Sequence, residues 1–319
     1  MMTRRKFLGT TIAGGATVLA GTAFQKLASA MATSDSESTF QLGGDLSVNR
    51  LGFGAMRLTG QGIWGWPPDR ENAKKILHRA LDLGVNLIDT ADAYGPETDE
   101  LLIAEALHPY PKGLVIATKG GLTRPGPGSW VPDCRPERLS RCVDQSLKRL
   151  KLERIDVYQL HTVDKKVTIE ESLGALKKAQ DAGKIRHVGL SNVTTHEIER
   201  AKKVVPIVSI QNRYNISDRE SEDVLSYCEK EKMGFLPWAP VGGSGRGSLT
   251  KSGNPLEEEA KRHNVSAVQL GLAWLLQKSP VMLPIPGTSS LQHLEENMAA
   301  AKLQLTPEEW KKIDGSLKG

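Results

Sequence analysis

From residue 51 to residue 301 the chain repeats one pattern: a short apolar run, a turn, then an amphipathic stretch. The apolar runs, such as VNLID at 85–89 and LVIAT at 114–118, do not alternate apolar with polar residues. Strands of that kind are buried on both faces, as in a parallel sheet covered by helices. The pattern predicts strands at 51–58, 85–89, 114–118, 156–160, 187–190, 207–211, 234–237 and 281–284. It predicts helices at 71–83, 97–107, 136–150, 169–182, 195–204, 221–232, 255–263, 266–278 and 291–301. A last short helix should start with Thr306 as cap and Pro307 in its first turn. A hairpin around Gly43-Gly44-Asp45 should precede the first strand. Eight strand–helix units in about 270 residues fit an α/β chain folded as one (β/α)8 TIM barrel with a short N-terminal hairpin. The competing doubly wound sheet usually opens on G-x-G-x-x-G at the turn after its first strand. Here Gly52-Phe53-Gly54 lies within a strand pattern, and no helix follows at once.

The barrel pattern starts at about residue 40, and what precedes it has another character. Arg4-Arg5-Lys6-Phe7-Leu8 is followed by an uncharged stretch at 9–24. Small residues follow, Ala28-Ser29-Ala30 and Ala30-Met31-Ala32. A basic start, an uncharged middle and a small-residue cleavage point make a secretory signal over 1–32. Residues 33–39 then read as a polar linker and 40–319 as the barrel. The arginine pair resembles the twin-arginine export signal of bacteria. That resemblance implies the twin-arginine export machinery as a partner, passage in the folded state, and a periplasmic or other extracytoplasmic location. The uncharged stretch is too short and polar for a stable membrane span of about 20 apolar residues.

The signal also changes how the charge is read. The whole chain has 42 Lys and Arg against 37 Asp and Glu, a net charge of +5, which invites a nucleic-acid partner. Four of the basic residues, Arg4, Arg5, Lys6 and Lys26, lie in residues 1–30, which hold no acid. The rest has 38 against 37, a net charge of +1. Its basic residues are spread over helices, as in Lys177-Lys178 and Lys202-Lys203, so no nucleic-acid partner is expected. Cys134, Cys142 and Cys228 have no metal-type spacing and make no disulfide scaffold, and no metal is expected.

In a barrel the chemistry sits where the strands end. The second strand ends at Asp89, with Tyr94 five residues on; the third ends at Lys119 and the fourth at His161. A free Tyr titrates near 10 and is a poor acid at neutral pH. The Lys119 ammonium should lower the Tyr94 pKa, and Asp89 should hold Lys119 in place and charged. His161 can orient a substrate carbonyl. The set is a general acid beside an electrophile pocket, without the nucleophile–base pair of acyl transfer. Asp92 is read as a hydrogen-bonding loop residue.

The segments NLIDTADAYG at 86–95, IATKG at 116–120 and VYQLH at 157–161 resemble the signatures of the aldo-keto reductases. The resemblance runs from about Leu51 to Ala301. It implies that Asp89, Tyr94, Lys119 and His161 are that family's catalytic tetrad. It implies reduction of aldehydes or ketones to alcohols by hydride transfer from NADPH, with Tyr94 as proton donor.

It also implies a cofactor site in the second half. Ser191 and Asn192 would bind the nicotinamide amide, Gln211 would make a third contact to that ring, and Trp238 would stack on it. Pro240 follows Trp238, with Ala239 where the family usually has Ser. Gly242, opening the Gly-rich run 242–247, can place backbone N–H groups against a pyrophosphate. Thr288 and Ser289 stand at a helix start that suits an anion, and Glu296 and Asn297 would meet adenine. Gly287 and His293 stand where many members have the Lys and Arg used on the NADP 2′-phosphate, so NADH is a second candidate. Trp64, Trp66 and Trp130 lie in loops that would overhang the mouth and line a small-molecule carbonyl site. The alternative is a cofactor-binding regulatory or interaction module on the same barrel with little turnover.

Overall fold

The computed structural model describes residues 38–243, 248–254 and 256–316. The expected signal at 1–32, most of the linker, and 244–247 of the Gly-rich run lie outside the described residues. The chain divides into two units, residues 1–39 and 40–319, and the fold is that of the second.

A two-stranded sheet opens the fold, with β1 (Thr39–Leu42) and β2 (Leu46–Asn49) joined across Gly43-Gly44-Asp45. Next come β3 (Phe53–Gly54), β4 (Leu87–Asp89) and β5 (Val115–Gly120). A small antiparallel ribbon follows, β6 (Leu122–Thr123) with β7 (Val131–Pro132). Then come β8 (Ile155–Leu160), β9 (Ile185–Ser191), β10 (Ile207–Gln211) and β11 (Gly234–Phe235). Seven of these make one sheet in the order β11-β10-β9-β8-β5-β4-β3, every pair parallel.

The segment 282–286 closes the sheet into a barrel. Met282 pairs in parallel with Phe235, and Leu283 N–H donates to the Phe235 carbonyl at 2.8 Å. On the other side Gly52 N–H donates to the Pro284 carbonyl at 2.9 Å, and Gly54 N–H to the Pro286 carbonyl at 3.5 Å. The expected strand at 281–284 is therefore in place but is not a regular strand. Pro284 and Pro286 have no N–H to give, so the segment can only accept along that edge. The expected strand at 51–58 is also shorter. Only Phe53 and Gly54 pair, and Ala55–Leu58 turns into a 3-10 helix.

The helices fall where the periodicity places them, with shifts of one or two residues at most ends. Examples are Arg70–Asp82, Thr98–Leu107, Pro136–Leu150, Ile169–Asp181 and Ala267–Lys278. Their starts are written in the sequence. Thr168 with Glu171, Thr194 with Glu197 and Ser266 with Gln269 form reciprocal capping boxes. Thr306 and Glu309 exchange the same pair of bonds at the start of Pro307–Ser316. Among the described residues no helix is long and apolar enough to cross a membrane.

The strands are buried on both faces, yet their residues divide by parity. Leu87, Val115, Ala117 and Val157 share one apolar cluster with Leu42, Leu46 and Val48 of the hairpin. That cluster is the inside of the barrel, and the hairpin plugs it. Ile88 and Ile116 instead pack with helices Arg70–Asp82 and Thr98–Leu107, and Tyr158 and Leu160 with Pro136–Leu150 and Ile169–Asp181. Counting on by two from the inward residues gives Asp89, Lys119 and Gln159.

Candidate active site

Lys119 is fully buried, and its ammonium donates three hydrogen bonds. They go to Asp89 Oδ2 at 2.7 Å, the Thr90 carbonyl at 2.8 Å and Tyr94 Oη at 3.2 Å. An ammonium has three donors, so none is wasted. The second Asp89 oxygen accepts from Gln211 Nε2 at 2.7 Å, and Gln211 also donates to Gln159 Oε1 at 3.2 Å. Parallel register brings this about: Asp89 lies opposite Ala117 and Lys119 opposite Gln159.

Two glycines make room. Gly95 follows Tyr94 at φ +92, and a methyl group there would run into Thr98 Oγ1. Gly120 follows Lys119, and a methyl group there would meet the Tyr158 hydroxyl. The turn that presents Tyr94 is closed by Tyr94 N–H on the Ala91 carbonyl at 3.1 Å and Glu97 N–H on the Asp92 carbonyl at 2.8 Å.

Burial opposes the Lys119 charge, but Asp89 and the Tyr94 hydroxyl outweigh it and hold the ammonium above its ordinary range. Burial also raises the Asp89 carboxyl, against the pull of Lys119 and the Gln211 hydrogen bond. Tyr94 corrects the expectation from sequence. Lys119 does act to lower it, but burial is the larger effect, and the net shift is upward. Burial, Lys119 and Arg124 push His161 well below its ordinary value, so its ring is neutral at neutral pH. The His161 ring stands edge to face with Tyr94 at 5.7 Å between centroids, and its Nδ1 is buried without a hydrogen-bond partner.

The three loop tryptophans separate. Trp130 meets both Tyr94 at 6.3 Å and His161 at 6.4 Å, each in an edge arrangement. Trp64 lies beside the site, its backbone bridged to Gly95 and its ring 5.6 Å from the Arg124 guanidinium. Trp66 is not brought in. It is exposed, with Arg70 over its ring at 3.7 Å.

Ser191, Asn192, Gln211 and Trp238 do come together. Asn192 is left-handed at φ +58 and donates to the His161 carbonyl and to Ser191 Oγ, both at 3.0 Å. It accepts from Trp238 Nε1 at 3.0 Å, and its backbone N–H meets the Gln211 carbonyl at 3.0 Å. Arg213 lies over the Trp238 ring at 5.2 Å. Ala239 is left-handed at φ +53 and Gly242 at φ +82, with Pro240 buried between them.

A further group gathers at helix Leu291–Ala299. Ser290 caps it by accepting from the His293 N–H at 3.3 Å, and Ser290 N–H donates to Thr288 Oγ1 at 3.1 Å. Ser289 and His293 are exposed, Asn297 is buried, and Glu296 accepts from Gln292 at 2.8 Å. Gly287 packs against Arg57: a methyl group on it would lie 3.5 Å from Arg57 Cγ. Arg57 is exposed.

Sequence reasoning missed several residues. Gln159 is findable, because it lies two residues before His161 on one strand face. Arg57 and the Thr90 carbonyl carry no local signal. Asp92 is no ordinary loop residue. It is buried, and burial together with nearby Glu100 pushes its carboxyl up to about 7. Asp99 behind it is raised to about 7 by burial and Glu100, although Thr90 Oγ1 donates to it at 2.7 Å.

The family model described as the aldo/keto reductase family matches residues 50–318. An uncharacterized oxidoreductase of Schizosaccharomyces pombe is 49% identical over 271 residues, covering 85% of this chain and 87% of that protein. The pyridoxine 4-dehydrogenase of Escherichia coli is 42% identical over 286 residues, covering 88% and 98%. Among solved structures, the glycerol dehydrogenase of Gluconobacter oxydans superposes with a TM-score of 0.78 at 29% identity, covering 88% of this chain and 95% of that one.

Proposed function

The chain belongs to the aldo/keto reductase family, and on that premise we propose that it reduces an aldehyde or ketone to the alcohol with NADPH, Tyr94 giving the proton. The observation that carries this reading is the unbroken chain Gln211–Asp89–Lys119–Tyr94 beside the neutral ring of His161.

The residues present suit a nicotinamide nucleotide. A primary carboxamide needs a donor for its oxygen and acceptors for its two N–H groups. Ser191 Oγ–H can donate, and the Asn192 and Gln211 amide oxygens can accept. Trp238 offers an aromatic face next to them. The first turn of helix Leu291–Ala299, with Thr288 and Ser289 before it, suits a phosphate. Arg57, whose side-chain stem lies against Gly287 and which is exposed, brings a positive charge near the position where the family's Lys is missing, which favours NADPH over NADH. When bound, the cofactor supplies the hydride.

The chain's own groups handle the proton. His161 holds the substrate carbonyl by donating from its neutral ring. Tyr94 donates to the carbonyl oxygen as negative charge builds there. An alkoxide is a stronger base than a phenolate, so the transfer runs downhill even from a tyrosine raised by burial. Lys119 then stabilises the phenolate that remains, and Asp89 keeps Lys119 charged.

The substrate is a small carbonyl compound. The similarity to pyridoxine 4-dehydrogenase puts the aldehyde formed by dehydrogenating pyridoxine first on the panel. The test is loss of NADPH absorbance on adding each carbonyl, with NADH at equal concentration in parallel. Turnover of an aldehyde with NADPH is expected. No turnover of any aldehyde or ketone would overturn the reading, and an equal rate with NADH would overturn the NADPH preference.

Residues 1–32 are read as a twin-arginine export signal that delivers the folded barrel outside the cytoplasm. Replacing Arg4 and Arg5 by Lys together should keep the protein in the cytoplasm of a bacterial host. Unchanged export would contradict it.

A further inference from the structure

Arg124 stands at the site mouth in an unusual state: among the described residues no carboxylate pairs with it. Its N–H groups go to main-chain carbonyls of three separate loops. Nε donates to Ser129 at 2.8 Å, Nη1 to Ala93 at 2.8 Å and Ile63 at 3.1 Å, and Nη2 to Gly62 at 3.3 Å. Those loops follow β3, β4 and β6. The guanidinium plane also covers the Trp130 ring at 3.6 Å from its centroid and approaches Trp64 at 5.6 Å. Trp130 is the last residue before β7, at the end of a loop containing Pro125, Gly126, Pro127 and Gly128. The ribbon pairs only Leu122 with Pro132 and Thr123 with Val131. Such a loop has few bonds of its own to hold a large ring still.

We propose that Arg124 is a positioning residue that sets substrate specificity: by clipping the three loops it holds Trp130 as a fixed aromatic wall against Tyr94 and His161, so the site prefers flat aromatic aldehydes to flexible aliphatic ones. The inference rests on the reading of Tyr94 and His161 as the reacting pair. The physics is preorganisation. A ring held in place before binding loses no freedom when a planar substrate packs on it, and paired aromatic rings gain attraction beyond their buried area. A butyl chain gains none of that geometric term. A lysine could not replace the arginine, because its ammonium has three donors and no plane to stack. The four carbonyls also account for the missing carboxylate. They take four of the five guanidinium N–H groups, so Arg124 is committed to the loops and is not a free anion receptor.

The test compares benzaldehyde with butanal in the wild type, Arg124→Met, Arg124→Lys and Trp130→Ala. The ratio of kcat/KM for benzaldehyde to that for butanal should fall about tenfold in Arg124→Met, which corresponds to about 1.4 kcal/mol. The loss should lie in the KM for benzaldehyde. Arg124→Lys should not restore the ratio, and Trp130→Ala should lower it to the same degree. The double variant Arg124→Met with Trp130→Ala should be no worse than either single one. An equal loss for both aldehydes, or an unchanged ratio, overturns the proposal. Benzaldehyde binding to the NADP(+)-loaded protein, read by tryptophan fluorescence, separates this from the reductase reading. If the wild type binds but turns over neither aldehyde, the reductase reading fails. The clip then stands if Arg124→Met binds benzaldehyde about tenfold more weakly, and falls if it binds equally.

Discussion

The Lys119 ammonium donates to the Tyr94 hydroxyl at 3.2 Å from a position with no exposure to water. The lysine cannot be there as a surface charge. It is held by Asp89 on one side and donates to the tyrosine on the other, so stability and the proposed chemistry meet in one side chain.

Lys119→Met should therefore fail twice. It leaves the Asp89 carboxylate buried and unpaired, which destabilises by roughly 3–5 kcal/mol, and it removes the charge that stabilises the Tyr94 phenolate. Adding Asp89→Asn should restore much of the denaturation midpoint and none of the turnover. Recovery of turnover in the double variant would contradict the role given to Lys119.

The pH profile of carbonyl reduction follows from the site. In the proposed reaction Tyr94 must be protonated to act, and its pKa is raised by burial. The reduction rate should hold as pH rises through the neutral range and past 9. His161 is already neutral, so no step should appear near 6.5. A rate that halves between pH 6 and pH 7 would show that His161 or another group controls the proton.

Asp92 makes a prediction about stability. Its ordinary value is 3.8, and in the folded chain it is about 7. Between those values the unfolded chain has lost the proton and the folded chain keeps it. The folded state then loses stability as pH rises, by about 1.4 kcal/mol per unit for one such group, and the loss levels off above about 7. Asp92→Asn removes that slope, so its advantage over the wild type should grow from pH 4 to pH 7 and then stay flat. Denaturant melts across that range read the difference directly. An advantage independent of pH would refute it.

Arg57 should matter to the cofactor and not to the proton. Arg57→Ala should weaken NADPH binding by roughly tenfold, the worth of one charge-assisted hydrogen bond, with a smaller effect on NADH. Tryptophan quenching measures both. Equal weakening of the two would place the Arg57 charge elsewhere than the 2′-phosphate.

Much of this was legible in the residues. Apolar runs without alternation specify a covered parallel sheet, and the capping pairs Thr168–Glu171 and Thr194–Glu197 mark helix starts by themselves. Asp89, Lys119 and His161 could be placed because each ends a strand. The ends of the barrel were less legible. Whether 51–58 or 281–284 pairs regularly depends on Pro284, Pro286 and a turn at Ala55, which only closure reveals. The Arg124 clip depends on three loops that meet in space and share no sequence spacing. The direction of the Tyr94 shift is not legible, because a sequence shows the neighbouring charge and not the depth of burial.

The most direct measurement is turnover and cofactor binding in Tyr94→Phe. The ring and its packing on Trp130 and His161 survive, and what is lost is the hydroxyl that gives the proton and accepts from Lys119. The account predicts carbonyl reduction lowered by roughly 10²–10⁴-fold, with NADPH quenching the tryptophans as in the wild type. Reduction at near wild-type rate with cofactor bound would contradict it.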